Sequence, residues 1–200
     1  MILKRAFDIF TGLIALIFLM PVFALIAVAI KIESPGPILF SQLRVGRNQV
    51  PFFIHKFRSM KYSAGENGSL LTIGSDNRIT GVGRVLRSSK LDELPQLFDI
   101  LLGKMSFVGP RPEVPYFADF YTLQQKKIIF SVRPGLTDSA SIFFINEAKI
   151  LGASKNPEEL YVKNILPIKA SLAIDYVNGR TFIGDQIILL KTLVKIFYRG

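Results

Sequence analysis

A ten-residue stretch near the middle of the chain organises the rest, and it reads Arg87-Ser88-Ser89-Lys90-Leu91-Asp92-Glu93-Leu94-Pro95-Gln96. Two adjacent carboxylates, Asp92 and Glu93, follow closely after cations. Apolar residues at positions 91, 94, 97, 98, 101 and 102 have helical spacing and predict a helix over 91–102. Ser89 is the predicted N-cap and Gly103 the predicted stop. The two acids then fall in the first turn, where the helix dipole favours negative charge.

Two interpretations of this acidic pair stay open at this point. The acids could serve only the helix dipole, or they could do chemistry. Adjacent residues point about 100° apart on a helix, so one would attack while the other holds a cation or moves a proton. A carboxylate that attacks phosphorus needs cations to screen the substrate's charge. The chain offers isolated cations, several of them beside proline or glycine: Lys56, Arg58, Arg87, Arg111 and Arg133.

Composition narrows the class of protein. The chain has 200 residues, which suits one domain, and 50% of them are hydrophobic, with a mean hydropathy of +0.37 and a net charge of +10. High hydrophobicity combined with high positive charge indicates a surface that meets anionic lipid or a site that holds phosphates. Nucleic acid is the other usual partner of a basic chain.

Residue types that are missing restrict the chemistry. There are no cysteines, which rules out disulfides and thiolate metal sites and fits the cytoplasmic side of a membrane. A single histidine, His55, is expected to pack or hydrogen-bond within its strand. Any metal must therefore use oxygen ligands, which favours magnesium or manganese over zinc. Gly81-Val82-Gly83 is too short for a dinucleotide fingerprint, and the chain has no Walker sequence.

The N-terminal segment from Ile9 to Ile30 is about 22 residues without a charge, long enough to cross a bilayer. A signal peptide would need a small-residue cleavage site, which the following residues do not offer. Pro21 removes one backbone hydrogen bond, so a helix here must kink or break. Lys4 and Arg5 precede the segment and Lys31 follows it, so charge does not decide between crossing and re-entry.

The remaining pattern predicts short strands among helices, an α+β fold that is mainly helical. Strands are predicted at 38–42 and 52–58, with Lys56 and Arg58 on one face of the second. A polar, glycine-rich loop is predicted at 63–76. Helices are predicted at 117–130, at 157–176 with an interruption near Pro167, and at 184–198.

The last of these helices is amphipathic. Lys191, Lys195 and Arg199 recur every four residues beside Ile187, Leu190, Val194 and Phe197. Such a helix could lie flat on an anionic membrane, or it could pack on the core with its basic face in water. The sequence supports both alternatives equally.

Four motifs in order resemble the bacterial sugar transferases, also called monotopic phosphoglycosyl transferases, in their minimal single-domain form. The motifs are Lys56-Phe57-Arg58-Ser59-Met60, Leu91-Asp92-Glu93-Leu94-Pro95-Gln96, Met105-Ser106-Phe107-Val108-Gly109-Pro110-Arg111-Pro112-Glu113 and Val132-Arg133-Pro134-Gly135-Leu136-Thr137. The resemblance covers nearly the whole chain, from the N-terminal hydrophobic segment to Tyr198.

The resemblance implies an activity. Members transfer a phospho-sugar from a UDP-sugar to a polyprenyl phosphate, usually undecaprenyl phosphate, and release UMP, which begins assembly of glycoconjugates such as O-antigen, capsule or glycoprotein glycans. It implies a ping-pong mechanism with Mg²⁺, an enzyme on the cytoplasmic face of the bacterial inner membrane in contact with anionic lipid, and no nucleic-acid partner. Residues 1–33 would form a re-entrant membrane helix and residues 34–200 the catalytic domain, together one functional unit.

The resemblance also assigns roles to residues. Asp92 would be the nucleophile, and Glu93 would assist with magnesium or with protons, so both are candidate metal ligands. Phosphates and substrate would be held by Lys56, Arg58, Arg87, Arg111, Glu113 and Arg133. The membrane helix would break at the Met20-Pro21 pair.

Two departures from the family pattern leave questions open. Met20 stands where members often have serine before the helix-breaking proline. Thr137-Asp138-Ser139-Ala140-Ser141-Ile142 replaces a common Thr-Gly-Trp-Ala-Gln-Val, which predicts a subgroup with a different sugar or pocket. The sugar, the glycan pathway and the oligomeric state are not readable. A non-catalytic basic membrane scaffold and a nucleic-acid binder are the competing hypotheses, and the second has only the net charge behind it.

Overall fold

The computed structural model describes residues 2–62, 71 and 76–198. The fold is mainly helical with short strands, which confirms the α+β prediction. The polar loop predicted at 63–76 lies outside the described residues, apart from Leu71 and Asp76.

The first helix, α1, runs without interruption from Ile2 to Glu33, with Pro21 inside it. It is long and apolar enough to cross a membrane. Much of its apolar surface is uncovered, including Phe10, Ile17 and Phe18. Helical assignment continues through Pro21, and the break predicted at Met20-Pro21 stays a prediction.

The described chain divides into two compact units. Unit 1 comprises residues 1–42, 53–69 and 76–102, and unit 2 comprises residues 43–52, 70–75 and 103–200. The sequence predicted a boundary after residue 33, between a membrane helix and a catalytic domain. That boundary stays a prediction.

Unit 1 is built around α1, to which three short helical segments pack. Strands β1 (Leu39–Val45) and β2 (Pro51–Phe57) pair, and their segments 39–42 and 53–57 belong to this unit. Helix α2 (Gly81–Ser88), a 3-10 turn (Leu91–Glu93) and α3 (Gln96–Leu101) follow. The core consists of Ile26, Ile30, Phe57 and Leu86.

The helix predicted at 91–102 is shorter than expected at its start, and Ser89 does not cap it. The Ser89 hydroxyl instead donates to the carbonyl oxygens of Val85 and Leu86, at 2.8 and 3.2 Å, so it ends α2. Lys90 precedes the next turn in a left-handed conformation with φ of 61° and makes no side-chain cap. Gly103 ends α3 with φ of 78°, which confirms the predicted stop.

Unit 2 is helical around a two-stranded parallel sheet. Strand β3 (Ser106–Val108) pairs with β4 (Gly135–Thr137), with Ser106 opposite Gly135 and Val108 opposite Thr137. The helix predicted at 117–130 is wrong as a single element. Helix α4 (Pro115–Ala118) ends early, and a capping box of Thr122 and Gln125 begins α5 (Leu123–Ile129).

The later helices match their predictions more closely. Helices α6 (Ser139–Phe143), α7 (Glu147–Gly152) and α8 (Pro157–Leu160) are short. A π-helical turn, Tyr161–Ile165, then joins α9 (Leu166–Gly179), whose first turn contains Pro167 where the interruption was predicted.

Helix α10 (Phe182–Phe197) leaves an apolar face uncovered. Its exposed residues recur at helical spacing and include Ile183, Ile187, Leu190 and Val194. Asp185 is buried on another side. The apolar face of α10 therefore does not pack on the core. Arg199, one of the three cations of the predicted basic face, lies outside the described residues.

Candidate active site in unit 1

Asp92 lies in the tight turn between α2 and α3. Asp92 is only 7% exposed, although it is charged and lies in the short 3-10 turn that precedes α3. The left-handed Lys90 reverses the chain direction just before it, and the 3-10 turn is closed by the bond from Leu94 N to Leu91 O at 3.2 Å. A buried carboxylate is costly unless charges or hydrogen bonds compensate.

Cations around Asp92 offset part of that cost. Burial raises the pKa of Asp92 above its ordinary value, and neighbouring Glu93 raises that pKa further, while the charges of Lys56, Lys90 and Arg87 lower it. The acid is thus poorly hydrated and screened by positive charge. A carboxylate in that setting is a stronger nucleophile than a hydrated one, provided it is ionised.

Glu93 pairs directly with Lys56, the same lysine whose charge acts on Asp92. Lys56 Nζ, from the end of β2, lies 2.7 Å from Glu93 Oε1, and both side chains are largely buried. The pair connects the strand to the catalytic turn. The two acids therefore have unlike surroundings, which suits the division of labour expected from adjacent positions.

Arg87 is held at the end of α2 by a specific hydrogen bond. Its Nε donates to Ser59 Oγ at 2.8 Å, and burial lowers the pKa of the guanidinium while the charge of Asp92 raises it. Gly83, one turn earlier on the same helix, lies against the backbone of Ser59 so closely that a β-carbon there would clash with it. The Gly83 contact and the Ser59 hydrogen bond together hold Arg87 where its charge interacts with Asp92.

Arg58 is occupied elsewhere in unit 1. It is 5% exposed, and its guanidinium donates to the carbonyl oxygens of Pro35 and Ser34 and, at 3.0 Å, to Ser34 Oγ. These acceptors lie just beyond α1. Arg58 thus fixes the exit of α1, and its predicted contact with phosphate stays a prediction.

His55 bonds to a helix rather than within its strand. Its backbone N–H and its Nδ1 both meet the carboxylate of Asp99, at 3.0 and 2.8 Å, and Asp99 is fully buried in α3. This pair ties β2 to α3. The expectation that His55 hydrogen-bonds within its strand is therefore wrong, because its bonds go to α3.

The Pro-Arg-Pro segment and the Arg133 turn belong to unit 2. The backbone N–H of Arg111 donates to Asp138 Oδ2 at 2.9 Å, and Arg111 Nη1 donates to Leu136 O at 3.2 Å. Arg133 Nε donates to Gly103 O at 2.8 Å. Both guanidinium groups are therefore oriented by main-chain carbonyls, and their predicted contact with phosphate stays a prediction.

Asp138 is one of the residues that depart from the family pattern, and the structure gives it a definite task. One of its carboxylate oxygens caps α6 through Ser141 N at 2.7 Å, and the other holds the backbone of Arg111. The substituted segment thus fixes the Pro-Arg-Pro turn from the side of α6.

Glu113 is buried in unit 2. Its Oε2 accepts from the Tyr161 hydroxyl at 2.7 Å, and its Oε1 lies 3.7 Å from Arg44 Nη1. Lys169 Nζ lies 3.3 Å from the same hydroxyl and pairs with Glu147 at 2.5 Å. Burial and the Glu113 charge raise the pKa of Tyr161, so it stays a hydrogen-bond donor. The predicted role of Glu113 in substrate binding stays a prediction.

The prediction that Asp92 and Glu93 are magnesium ligands stays a prediction. Magnesium in phosphoryl-transfer sites is usually held by one or two carboxylates together with substrate phosphates. No group of three or more histidine, cysteine or acidic side chains is found among the described residues, so a metal cage made of protein alone is not seen there.

Of the residues predicted as site residues, the structure brings four together in unit 1: Lys56, Arg87, Asp92 and Glu93. Arg58 is in the same unit but bonds to the end of α1. Arg111, Glu113 and Arg133 are in unit 2. Sequence reasoning missed Lys90 and Ser59, although Ser59 stands inside the Lys56 motif and its hydroxyl could have been considered.

Fold and site together describe a protein with an apolar N-terminal helix and a buried carboxylate among cations. The family model described as bacterial sugar transferase matches residues 1–199. The chain belongs to the bacterial sugar transferase family, which places it among the phosphoglycosyl transferases.

Individual relatives cover different shares of their own length. The exopolysaccharide production protein PSS of Rhizobium leguminosarum bv. phaseoli is 36% identical over 208 residues, which cover 100% of this chain and 98% of that protein. The UDP-N-acetylgalactosamine-undecaprenyl-phosphate N-acetylgalactosaminephosphotransferase of Aeromonas hydrophila is 41% identical over 70% of this chain. The UDP-glucose:undecaprenyl-phosphate glucose-1-phosphate transferase of Escherichia coli (strain K12) is 41% identical over 70% of this chain. The match spans only 34% of the Aeromonas protein and 31% of the Escherichia protein.

Proposed function

We propose that the protein transfers a phospho-sugar from a UDP-sugar to polyprenyl phosphate, in bacteria undecaprenyl phosphate, and releases UMP. This would be the first membrane step in assembling a glycoconjugate such as O-antigen, capsule or a glycoprotein glycan. Relatives whose names specify UDP-sugar or undecaprenyl-phosphate reactions support the substrate class. The observation that carries the proposal is the buried Asp92 among Lys56, Arg87 and Lys90.

The reaction would proceed in two displacements. In the first, an Asp92 carboxylate oxygen attacks the phosphorus that carries the sugar. The new bond joins that oxygen to phosphorus, the pyrophosphate bond to UMP breaks, and UMP leaves with the electron pair. The cations around Asp92 lower the repulsion between carboxylate and phosphate and stabilise the charge on the transferring group.

In the second displacement, a phosphate oxygen of the polyprenyl phosphate attacks the same phosphorus. The bond from Asp92 to phosphorus breaks, and the carboxylate is regenerated. Two inversions at one site explain why a single carboxylate can serve both substrates in turn. The phosphates would be held by Lys56 and Arg87, the cations of unit 1 whose charges act on Asp92.

Asp92 and Glu93 would hold magnesium, which screens phosphate charge when bound. Glu93 is the better candidate for a lasting ligand or proton carrier because Asp92 is committed to the attack. Lys56 pairs with Glu93 at 2.7 Å and orients that second carboxylate.

The site would lie at the cytoplasmic face of the inner membrane, with α1 re-entrant and α10 on the lipid surface. Both ends of α1 contact the same charged stretch of unit 1. Arg5 donates to Ile100 O and Leu101 O at 2.7 and 2.9 Å, and Glu33 accepts from Gly81 N and Val82 N at 2.6 and 3.0 Å. Residues 81–101 carry several charges and are unfavourable in hydrocarbon, which supports the proposal that both ends of α1 lie on one side of the bilayer.

The uncovered apolar face of α10 supports contact with lipid. Lys191 and Lys195 are exposed on the same helix, which suits a membrane that carries anionic lipid. A helix of this type would place unit 2 at the headgroup level, where a polyprenyl phosphate presents its charged end.

The test is UMP release by purified protein in detergent or nanodiscs, with Mg²⁺, undecaprenyl phosphate and a panel of UDP-sugars. Wild type should release UMP from at least one donor, and Asp92→Asn should lose at least about 10³-fold in rate, as expected when a nucleophile is removed. Asp119→Asn, at an exposed acid on the surface of unit 2, is the matched control and should keep full activity.

Full activity in Asp92→Asn would remove Asp92 as the nucleophile. No release of UMP from any donor, together with liposome binding that is indifferent to Asp92, would instead favour the non-catalytic scaffold.

A further inference from the structure

An unused amide lies one turn beyond the proposed nucleophile. Gln96, in the first turn of α3, is 1% exposed, and its Nε2 has no hydrogen-bond partner among the described residues. The other buried side-chain atoms of this kind in the described part of the chain all lie in unit 2. A buried N–H donor without an acceptor is unfavourable, so such a group in a native fold calls for an explanation.

The backbone places Gln96 near the reacting group. Residues 91–101 are right-handed throughout, with Leu94 and Pro95 both helical and with turn bonds from Leu94 N to Leu91 O and from Leu97 N to Leu94 O. Four residues in such a chain advance about 6–8 Å along the axis. Both the Asp92 and Gln96 side chains are buried in unit 1, so neither points into solvent.

We propose that Gln96 Nε2 donates a hydrogen bond to a phosphoryl oxygen of the phospho-sugar while that group is being bonded to Asp92. The inference rests on the proposed function. A phosphoryl group bonded to Asp92 adds oxygens beyond the carboxylate, and Gln96 Nε2 is the buried, partnerless donor four residues further along the same right-handed stretch. The donor is therefore unsatisfied in the free protein and satisfied in the transition state and the intermediate.

A donor that is satisfied only during the reaction raises the rate of the chemical step more than it raises affinity. Interactions that form in the transition state and are absent beforehand lower the barrier, while interactions present in both states mainly change KM. Gln96 would thus be a catalytic residue for the first displacement, distinct from the cations that hold the substrate's charge.

The obvious competitor is a buried water that accepts from the amide. Buried polar groups without protein partners are commonly satisfied in this way. In that case the amide would matter for stability alone. The two explanations differ in what they predict for rate and for melting temperature.

The experiment compares Gln96→Leu with Gln186→Leu by rapid-quench measurement of the first UMP burst at saturating UDP-sugar and Mg²⁺. Gln186 is the matched control because its Nε2 is also buried and without a partner, but it lies on α10 in unit 2. We expect Gln96→Leu to slow the burst about 10- to 100-fold with KM changed less than about 3-fold. Gln186→Leu should stay within about 2-fold of wild type.

A wild-type burst rate in Gln96→Leu would overturn the inference, with or without a change in melting temperature. If Gln96→Leu lacks a cooperative melting transition, Gln96→Met, which has a similar length and no N–H donor, takes its place under the same criterion. Absence of any UMP release by wild type would count against the proposed function itself, so the two failures are distinguishable.

Discussion

At the scale of single residues, Lys56 interacts with both acids, and its effect on Asp92 can be measured through the pH dependence of the rate. It pairs with Glu93, and its charge lowers the pKa of Asp92, which burial raises. Since the nucleophile must be ionised, the rate of the first displacement falls as the pH drops through the pKa of Asp92. That acidic limb should lie above the ordinary range of an aspartate because burial is the largest cause of the shift.

Replacing Lys56 with glutamine should move the acidic limb of kcat/KM to higher pH. The variant removes a positive charge that favours the ionised form of Asp92, so the pKa of that carboxyl rises further. The measurement is a pH profile of UMP release from pH 5 to 9 at saturating Mg²⁺. Lys61→Gln, at an exposed lysine in the same unit, should leave the profile in place. A limb that does not move in Lys56→Gln would mean that another group titrates.

At the scale of the element, the packing of α2 against Ser59 determines the position of Arg87. Gly83 permits the close approach of the helix to the Ser59 backbone, and the Arg87–Ser59 bond completes the contact one turn later. The placement of the cation therefore depends on a missing β-carbon as well as on the arginine.

The variant Gly83→Ala should destabilise the fold by about 1–3 kcal/mol, because the added carbon overlaps backbone atoms that cannot move cheaply. UMP release per folded molecule should also fall, because the shift of α2 weakens the hydrogen bond that positions Arg87. In Gly81→Ala the new carbon meets the end of the flexible Glu33 side chain, so this control should be nearly neutral. Chemical denaturation of the two variants measures the difference, and equal stabilities would contradict the tight packing of α2.

The elements were largely predictable, and the exceptions have local causes. Helix α10, the strand that ends near Lys56 and the stop at Gly103 follow from periodicity and from glycine chemistry. The N-cap at Ser89 was wrong because the hydroxyl bonds backwards to carbonyls of α2. A hydroxyl can bond in either direction, so sequence alone does not say which helix it serves.

The sequence predicted which residue types form the site better than it predicted their contacts. The sequence motifs named both acids and two of the nearby cations, Lys56 and Arg87, but not Lys90. The hydrogen bond from Arg87 to Ser59 and the left-handed Lys90 depend on tertiary packing that no spacing rule encodes. Arg58 could not be separated from Lys56 by strand alternation, although the structure gives them different partners.

At the scale of the whole molecule, the account places both ends of α1 on one side of the membrane. Single cysteines at Leu3 and at Ser34 should therefore react with a membrane-impermeant maleimide from the cytoplasmic side only, in right-side-out and inverted vesicles compared in parallel. The chain has no native cysteine, so no background substitution is needed. Reaction of the two positions from opposite sides would show that α1 spans the bilayer.

The measurement that bears most directly on the central claim is mass spectrometry of the enzyme quenched in acid after mixing with UDP-sugar and Mg²⁺, without acceptor. The account predicts a mass increase equal to one phospho-sugar, located on the peptide that contains Asp92, absent from Asp92→Asn and lost when undecaprenyl phosphate is added before the quench. Turnover to product with the protein mass unchanged at every time point, or an adduct on a residue other than Asp92, would contradict it.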